Sequence, residues 1–281
     1  ILISSLSQIF IQHEQKPFYL PKIFIRVRNP QQIQRLTKAL GQSIKIVTGF
    51  IVPKFSPDNA QSYIEQMILV NELVAKKLYM MPIYESPSII DLRNRIDLYL
   101  LRDSLARIED LILNIRVGGN DLCHMFGFRR HANESIHSIR PVSDIFSDII
   151  TVYGMDYVIS GPVWEYYAGD SWKEGMIQEI REDRLCGFIG KTVIHPSQIP
   201  VVNRAYQVSR NDYLDARAIL NWNADSASLV AGSKTAARKQ YGHTHPQQPY
   251  RSSLHNILLL FLYQKPLPFI FKSPPSFLSI S

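Results

Sequence analysis

The amino-acid sequence predicts an α/β protein of the (β/α)8 TIM-barrel type, incomplete, with about six βα units in view. Three observations lead there. Apolar runs of strand length recur at a spacing of roughly thirty residues, each is followed by a stretch of helical periodicity, and polar residues gather where the runs end. Crossovers of helical length return the chain in the same direction, so the strands are expected to be parallel.

The chain opens with ILISSLSQIFIQHEQ, which fits an amphipathic helix and lacks the basic leader and cleavage site of a signal peptide. KIFIRV (22–27) is the first strand run, and PQQIQRLTKAL after it sets Ile33, Leu36 and Leu40 on one helical face. GFIVPKF (49–55) follows, then a helix carrying Ile64, Met67, Ile68 and Val74. LYMMPIY (78–84) precedes a helical stretch at 97–108, and LILNIRV (111–117) one at 141–153. DYVISG (156–161) and GFIGKTVI (187–194) are the last runs, with helices expected at 171–183 and 210–222.

Continuous apolar strands suit either a doubly wound sheet or a barrel. The ends of the runs favour the barrel. Arg26 and Arg28, Lys54, Glu85, Asp121 and His195 sit at or just past five of the six ends; a barrel brings such ends to one mouth, whereas an open sheet spreads them along a line. The fifth run ends instead in Ser160 and Gly161. No phosphate-loop or GxGxxG sequence follows an early strand, which counts against a nucleotide-binding sheet.

Residues 1–223 are expected to form the barrel domain, and 224–281 a tail whose small polar and aperiodic stretches predict poor order. At 281 residues and 46% hydrophobic, the chain can bury a large core. The net charge of +7 is scattered, with no Lys/Arg block longer than a pair, which disfavours nucleic acid and suits a small anionic substrate. Cys123 and Cys186 have neither disulfide-framework nor zinc spacing, so the cytoplasm is expected. ILLLFLYQKPLPFIF is broken by Lys265, Pro266 and Pro268, so no membrane span is predicted. The His243/His245 pair is a weak metal tract.

Magnesium takes one or two carboxylates and keeps waters that a substrate can displace. Glu85 and Asp121, one strand apart, could form such a pair; two solvated acids, or acids paired with arginines such as Arg116, fit the sequence equally well. Asp121 also reads as a helix cap. Arg26 emerges from a strand interior, where a guanidinium needs an anionic partner. Lys54 reads equally as a surface lysine at a turn, and His195 more readily as a turn histidine than a catalytic one.

FIRVRNP (24–30), FIVPKF (50–55), MPIYESP (81–87), VGGNDLCHMFG (117–127) and GFIGKTVIHPSQIPVVNRAY (187–206) together resemble the HpcH/HpaI aldolase and citrate lyase beta-subunit superfamily, in its citrate-lyase-like branch. RVGGNDLCHMFGFRR and VISGPVWEYYAGD are most similar to bacterial C-C bond lyases of that barrel fold. The resemblance covers about residues 5–240. It implies a magnesium-dependent carbon-carbon lyase, with aldol or Claisen-type cleavage or condensation of a 2-oxo acid or acyl-CoA substrate through a metal-stabilised enolate. By position it implies Glu85 and Asp121 as metal ligands and Arg26 as a catalytic and substrate-binding arginine. Gly118 and Gly119 would admit substrate to the backbone; Lys54, counted with the substrate-binding residues, and Lys191 are weaker carry-overs, either structural or near a phosphate-bearing group. It also implies a homo-oligomer and a possible CoA thioester.

The sequence departs from the family at its start: two earlier strands, the second ending in a Glu-Asp step, have no counterpart. Six strands cannot close an eight-stranded barrel without exposed edges. A catalytically degenerate barrel fragment that binds a metabolite or a protein is the alternative expectation.

Overall fold

The computed structural model describes residues 1–220, 229–231 and 236–238, in two compact units, Ile1–Tyr206 and Gln207–Ser281. The boundary expected after residue 223, the His243/His245 pair and the apolar run at 257–271 lie outside the described residues.

The first unit begins with α1 (Leu2–Gln15), the amphipathic helix expected there. β1 (Ile23–Arg26), α2 (Gln31–Leu40), β2 (Val47–Val52), α3 (Pro57–Leu73), β3 (Tyr79–Tyr84) and α4 (Asp97–Ala106) then alternate as predicted. β4 (Ile115–Val117), α5 (Gly119–Met125), α6 (Arg140–Tyr153), β5 (Ile159–Val163), α7 (Trp172–Cys186), β6 (Lys191–Thr192) and α8 (Ile199–Ala205) complete the unit. The six strands form one parallel sheet in sequential order, curled into an incomplete barrel. Among the described residues, β1 and β6 are its edges.

Alternation along the strands sorts side chains between two faces. Ile25, Phe50, Val52, Met80, Tyr84 and Ile115 point to the helical layer and join its core with Ile33, Ile64 and Met67. Complete burial of such a side chain contributes about 1.5–3 kcal/mol. One polar link crosses this core: Tyr84 Oη donates to Tyr153 Oη at 2.6 Å, and Tyr153 Oη donates to the Leu98 carbonyl at 2.7 Å.

Two strands are shorter than the apolar runs that predict them. In 111–117, the residues Glu109–Leu111 form a 3-10 turn, and Ile112 makes only an isolated bridge to Met80. In 187–194, Gly187 and Gly190 adopt φ of 100° and 120°, a left-handed backbone that cannot extend a strand.

The second unit contains α9 (Arg210–Leu220) and an antiparallel pair, β7 (Leu229–Ala231) and β8 (Ala236–Arg238). Among the described residues, no helix is long and apolar enough to cross a membrane.

Candidate active site at the strand ends

β3 ends at Tyr84, and the next residue, Glu85, turns its carboxylate to the concave face of the sheet. It is 3% exposed, yet it is surrounded by groups that bind it. Arg26 Nη2, from the end of β1, donates to Glu85 Oε1 at 3.1 Å. The backbone N–H of Lys54, just past β2, donates to the same oxygen at 3.3 Å. Three neighbouring strand ends therefore converge on one carboxylate.

The turn after β2 explains how Lys54 arrives there. Ser56 caps α3 in a reciprocal box with Asn59, with Pro57 at the first helical position. Asn59 Nδ2 donates back to the Lys54 carbonyl at 2.9 Å, and Phe55 N–H donates to the Ile83 carbonyl at 3.0 Å. Held on both sides, Lys54 adopts φ 51° and aims its N–H at Glu85 while its side chain is exposed.

Asp121 reaches the same rim from the first turn of α5, whose cap is Gly118. Burial raises the Glu85 carboxyl above the usual range; the Asp121 charge and a shared hydrogen bond raise it further, against the opposing pull of Arg26 and the Lys54 N–H. Two carboxylates in one partly desolvated place disfavour each other unless a cation or a proton lies between them. These hard oxygen donors, open to a third partner, suit a magnesium ion.

Gly118 makes the arrangement sterically feasible. A Cβ there would lie 2.3 Å from both Glu85 Cβ and Oε2. Gly119 is buried, and a Cβ on it would meet Ile136 Cδ1 at 2.5 Å and Pro162 Cβ at 2.8 Å. Both glycines thus allow close packing around the first turn of α5.

A family model described as C-C bond lyase of the TIM-barrel fold matches residues 1–245. The chain belongs to that family. Comparison with curated proteins gives no match. Among solved structures, this chain is similar to the CitE protein of Mycobacterium tuberculosis in complex with magnesium, acetoacetate and coenzyme A. The identity is 19%, over 77% of this chain and 72% of that one, with a TM-score of 0.48. RipC from Yersinia pestis is similar at 14% identity, over 68% and 78%, with a TM-score of 0.48. The citrate lyase beta subunit of M. tuberculosis complexed with oxaloacetate and magnesium is 20% identical over 66% and 73%, with a TM-score of 0.42.

Other polar residues of the chain lie elsewhere. His195 caps a 3-10 turn, accepting from Ser197 N–H at 3.2 Å, and stacks on Tyr167 with ring centroids 4.4 Å apart. That is the turn role the sequence favoured for it. Lys191 points away from the concave face. Its ammonium is buried against Glu179 Oε1 at 2.5 Å and Asp183 Oδ2 at 2.7 Å, both on α7. Arg130 joins Glu179 in the same buried network, and His137 Nε2 lies 2.7 Å from Asp183 Oδ1. Sequence reasoning did not single out Glu179, Asp183 or Arg130. The visible signal was two acids at i, i+4 on a helix face otherwise set by Trp172, Met176 and Ile180.

Arg116 of β4, which the sequence offers as a partner for the acids, makes no hydrogen bond to either among the described residues. It makes a different contact, donating from Nη2 to Thr192 Oγ1 at 2.9 Å.

Proposed function

We propose that this chain is a magnesium-dependent carbon-carbon bond lyase that acts on a bond beside a carbonyl, in a 2-oxo acid or an acyl-CoA-type substrate. The observation that carries this reading is the buried Glu85 carboxylate, sharing the strand-end rim with Asp121 and held by Arg26. Glu85 and Asp121 are the residues that would hold the ion. When bound, magnesium supplies Lewis acidity toward a substrate oxygen.

The chain's own groups divide the remaining work. Arg26 is more than half exposed even while it touches Glu85, so it retains N–H donors directed to the open side. Those donors bind the substrate's carboxylate or carbonyl oxygen. As the carbon-carbon bond breaks, its electron pair moves toward the carbonyl oxygen, and the Arg26 cation stabilises the charge that accumulates there. Lys54 contributes through its backbone N–H, which fixes the Glu85 carboxylate, and its exposed ammonium adds attraction for an anion. Gly118 keeps the space beside Glu85 free of a side chain, and Gly119 brings the start of α5 against the sheet.

Magnesium titration by calorimetry, with and without pyruvate, tests the reading. Glu85→Gln and Asp121→Asn should each abolish metal binding and metal-dependent pyruvate binding while leaving the circular dichroism unchanged. Metal binding that survives both substitutions would overturn the assignment.

A second reading is a catalytically inactive barrel that binds a metabolite or protein. Metal and ligand binding without turnover of any 2-oxo acid or acyl-CoA would select it.

A further inference from the structure

On the helical side of the sheet, α7 gathers a second group of titratable residues. Its last residue, Cys186, is exposed, and Gly187 ends the helix with φ of 100°. Cys186 Sγ lies 3.6 Å from Nδ1 of His137, which comes 49 residues earlier in the chain, in the 3-10 turn Ile136–Ser138. The His137 ring is 7% exposed and packs against Phe146 and Phe188.

Asp183 decides how that ring presents itself. Its Oδ2 takes the Lys191 ammonium at 2.7 Å, and its Oδ1 lies 2.7 Å from His137 Nε2. A carboxylate only accepts, so the ring proton sits on Nε2, and Nδ1 keeps its lone pair toward Cys186. An acid behind one imidazole nitrogen, with the other nitrogen turned to a thiol, is the arrangement that orients histidine as a metal ligand.

The spacing fits one ion in particular. Zinc bonds of about 2.3 Å to sulfur and 2.0–2.1 Å to nitrogen, at a tetrahedral angle, set the two ligand atoms about 3.6 Å apart. Cys186 Sγ and His137 Nδ1 already stand at that separation.

The electrostatics also favour a cation. Burial raises the Cys186 thiol above its usual range, and the charges of Asp183 and Glu182 raise it further. The C-terminal end of α7 adds partial negative charge at the same place. The nearby cations are engaged elsewhere: Lys191 with Glu179 and Asp183, Arg130 with Glu179, and Arg184 with the Ala205 carbonyl. A bound divalent ion reverses the effect of such surroundings on a thiol and holds it as the thiolate. Among the described residues, no group of three or more His, Cys, Asp and Glu side chains could hold a metal ion, so this place offers two protein ligands.

We propose that Cys186 and His137 together bind a zinc ion, with water completing its coordination. As the sulfur–zinc bond forms, the thiol proton leaves to solvent, and His137 Nδ1 gives its lone pair to the ion. The ion then pins the 136–138 turn to the end of α7. Sulfur and nitrogen donors distinguish this site from the carboxylates of the rim, and it does not depend on the reading of the rim.

The test is titration of the reduced full chain with cobalt as a spectroscopic stand-in, then displacement by zinc. Cobalt should give a thiolate-to-metal charge-transfer band that zinc removes. Cys186→Ser should abolish the band, His137→Gln should strongly reduce it, and each should weaken zinc binding at this site about 10-fold or more. The Glu85→Gln, Asp121→Asn double variant should leave the band unchanged, since zinc or cobalt on carboxylates or on His243 and His245 produces no such band. Absence of the band with cobalt in excess, its persistence in Cys186→Ser, or full retention in His137→Gln overturns the proposal. Should His137→Gln fail to fold, X-ray absorption at zinc in the unsubstituted chain decides: one sulfur with an imidazole in the coordination shell supports the site, and sulfur without imidazole overturns it.

Discussion

Arg26 and Glu85 are 59 residues apart in the chain and meet at 3.1 Å across β2, the strand that lies between theirs. The pair is asymmetric: the carboxylate is 3% exposed and the guanidinium 56%. Glu85 is thus a fixed buried group, and Arg26 is the partner free to turn toward a ligand.

That asymmetry predicts separate effects on stability and binding. Arg26→Gln should lower stability by only about 1 kcal/mol, because the exposed partner of such a pair is screened by water. Its turnover of a 2-oxo acid or acyl-CoA should fall about 100-fold or more, the usual consequence of removing a donor to a developing oxyanion. Urea denaturation and steady-state kinetics on the same preparation separate the two; a large stability loss with unchanged kcat would contradict the assigned role.

Gly118→Ala should disturb the rim from beneath. The added Cβ would lie 2.3 Å from Glu85 Oε2, so the carboxylate must move. The expected cost is about 1–3 kcal/mol of stability, typical of overpacking, together with weakened magnesium binding. Thermal melts and metal titration check both effects; a variant indistinguishable from the parent would show that the rim tolerates the side chain.

Lys191→Met should be among the most destabilising single changes in the first unit. It leaves Glu179 and Asp183 buried with one cation fewer, a loss of about 3–5 kcal/mol. Adding Glu179→Gln should recover part of it, since an uncompensated charge is then removed. Urea midpoints of the single and double variants measure this, and a single-variant loss under about 1 kcal/mol would show the network to be dispensable.

Alkaline pH should weaken the fold through Tyr84 and Tyr153. Burial raises both hydroxyls above the ordinary tyrosine range. Above about pH 10 the unfolded chain releases these protons while the native chain retains them, so the unfolded state binds fewer protons and stability falls as pH rises. Urea midpoints at pH 9 and 11 should therefore diverge less in the Tyr84→Phe, Tyr153→Phe double variant than in the parent chain.

The sequence alone determined the alternation of strands and helices, because apolar periodicity and strand-end polar residues are local properties. Ile33, Leu36 and Leu40 repeat at helical spacing and are buried on α2, and KIFIRV lies on β1. Family membership was legible for the same reason, in short motifs at the strand ends. Where local cues are weak, the tertiary structure decided. The apolar run at 187–194 reads as one strand, but positive-φ glycines reduce it to Lys191–Thr192. α5 has seven residues, too few to show a period. Lys54 carries its clearest contact through a backbone N–H, which no side-chain pattern reveals. Which charge meets which is settled only when sheet register brings distant strand ends together: it pairs Arg26 with Glu85, turns Lys191 to the helices, and leaves Arg116 facing the concave side. Sequence fixes which groups are present within each segment, whereas the desolvation and distance that govern their electrostatics exist only in the folded sheet.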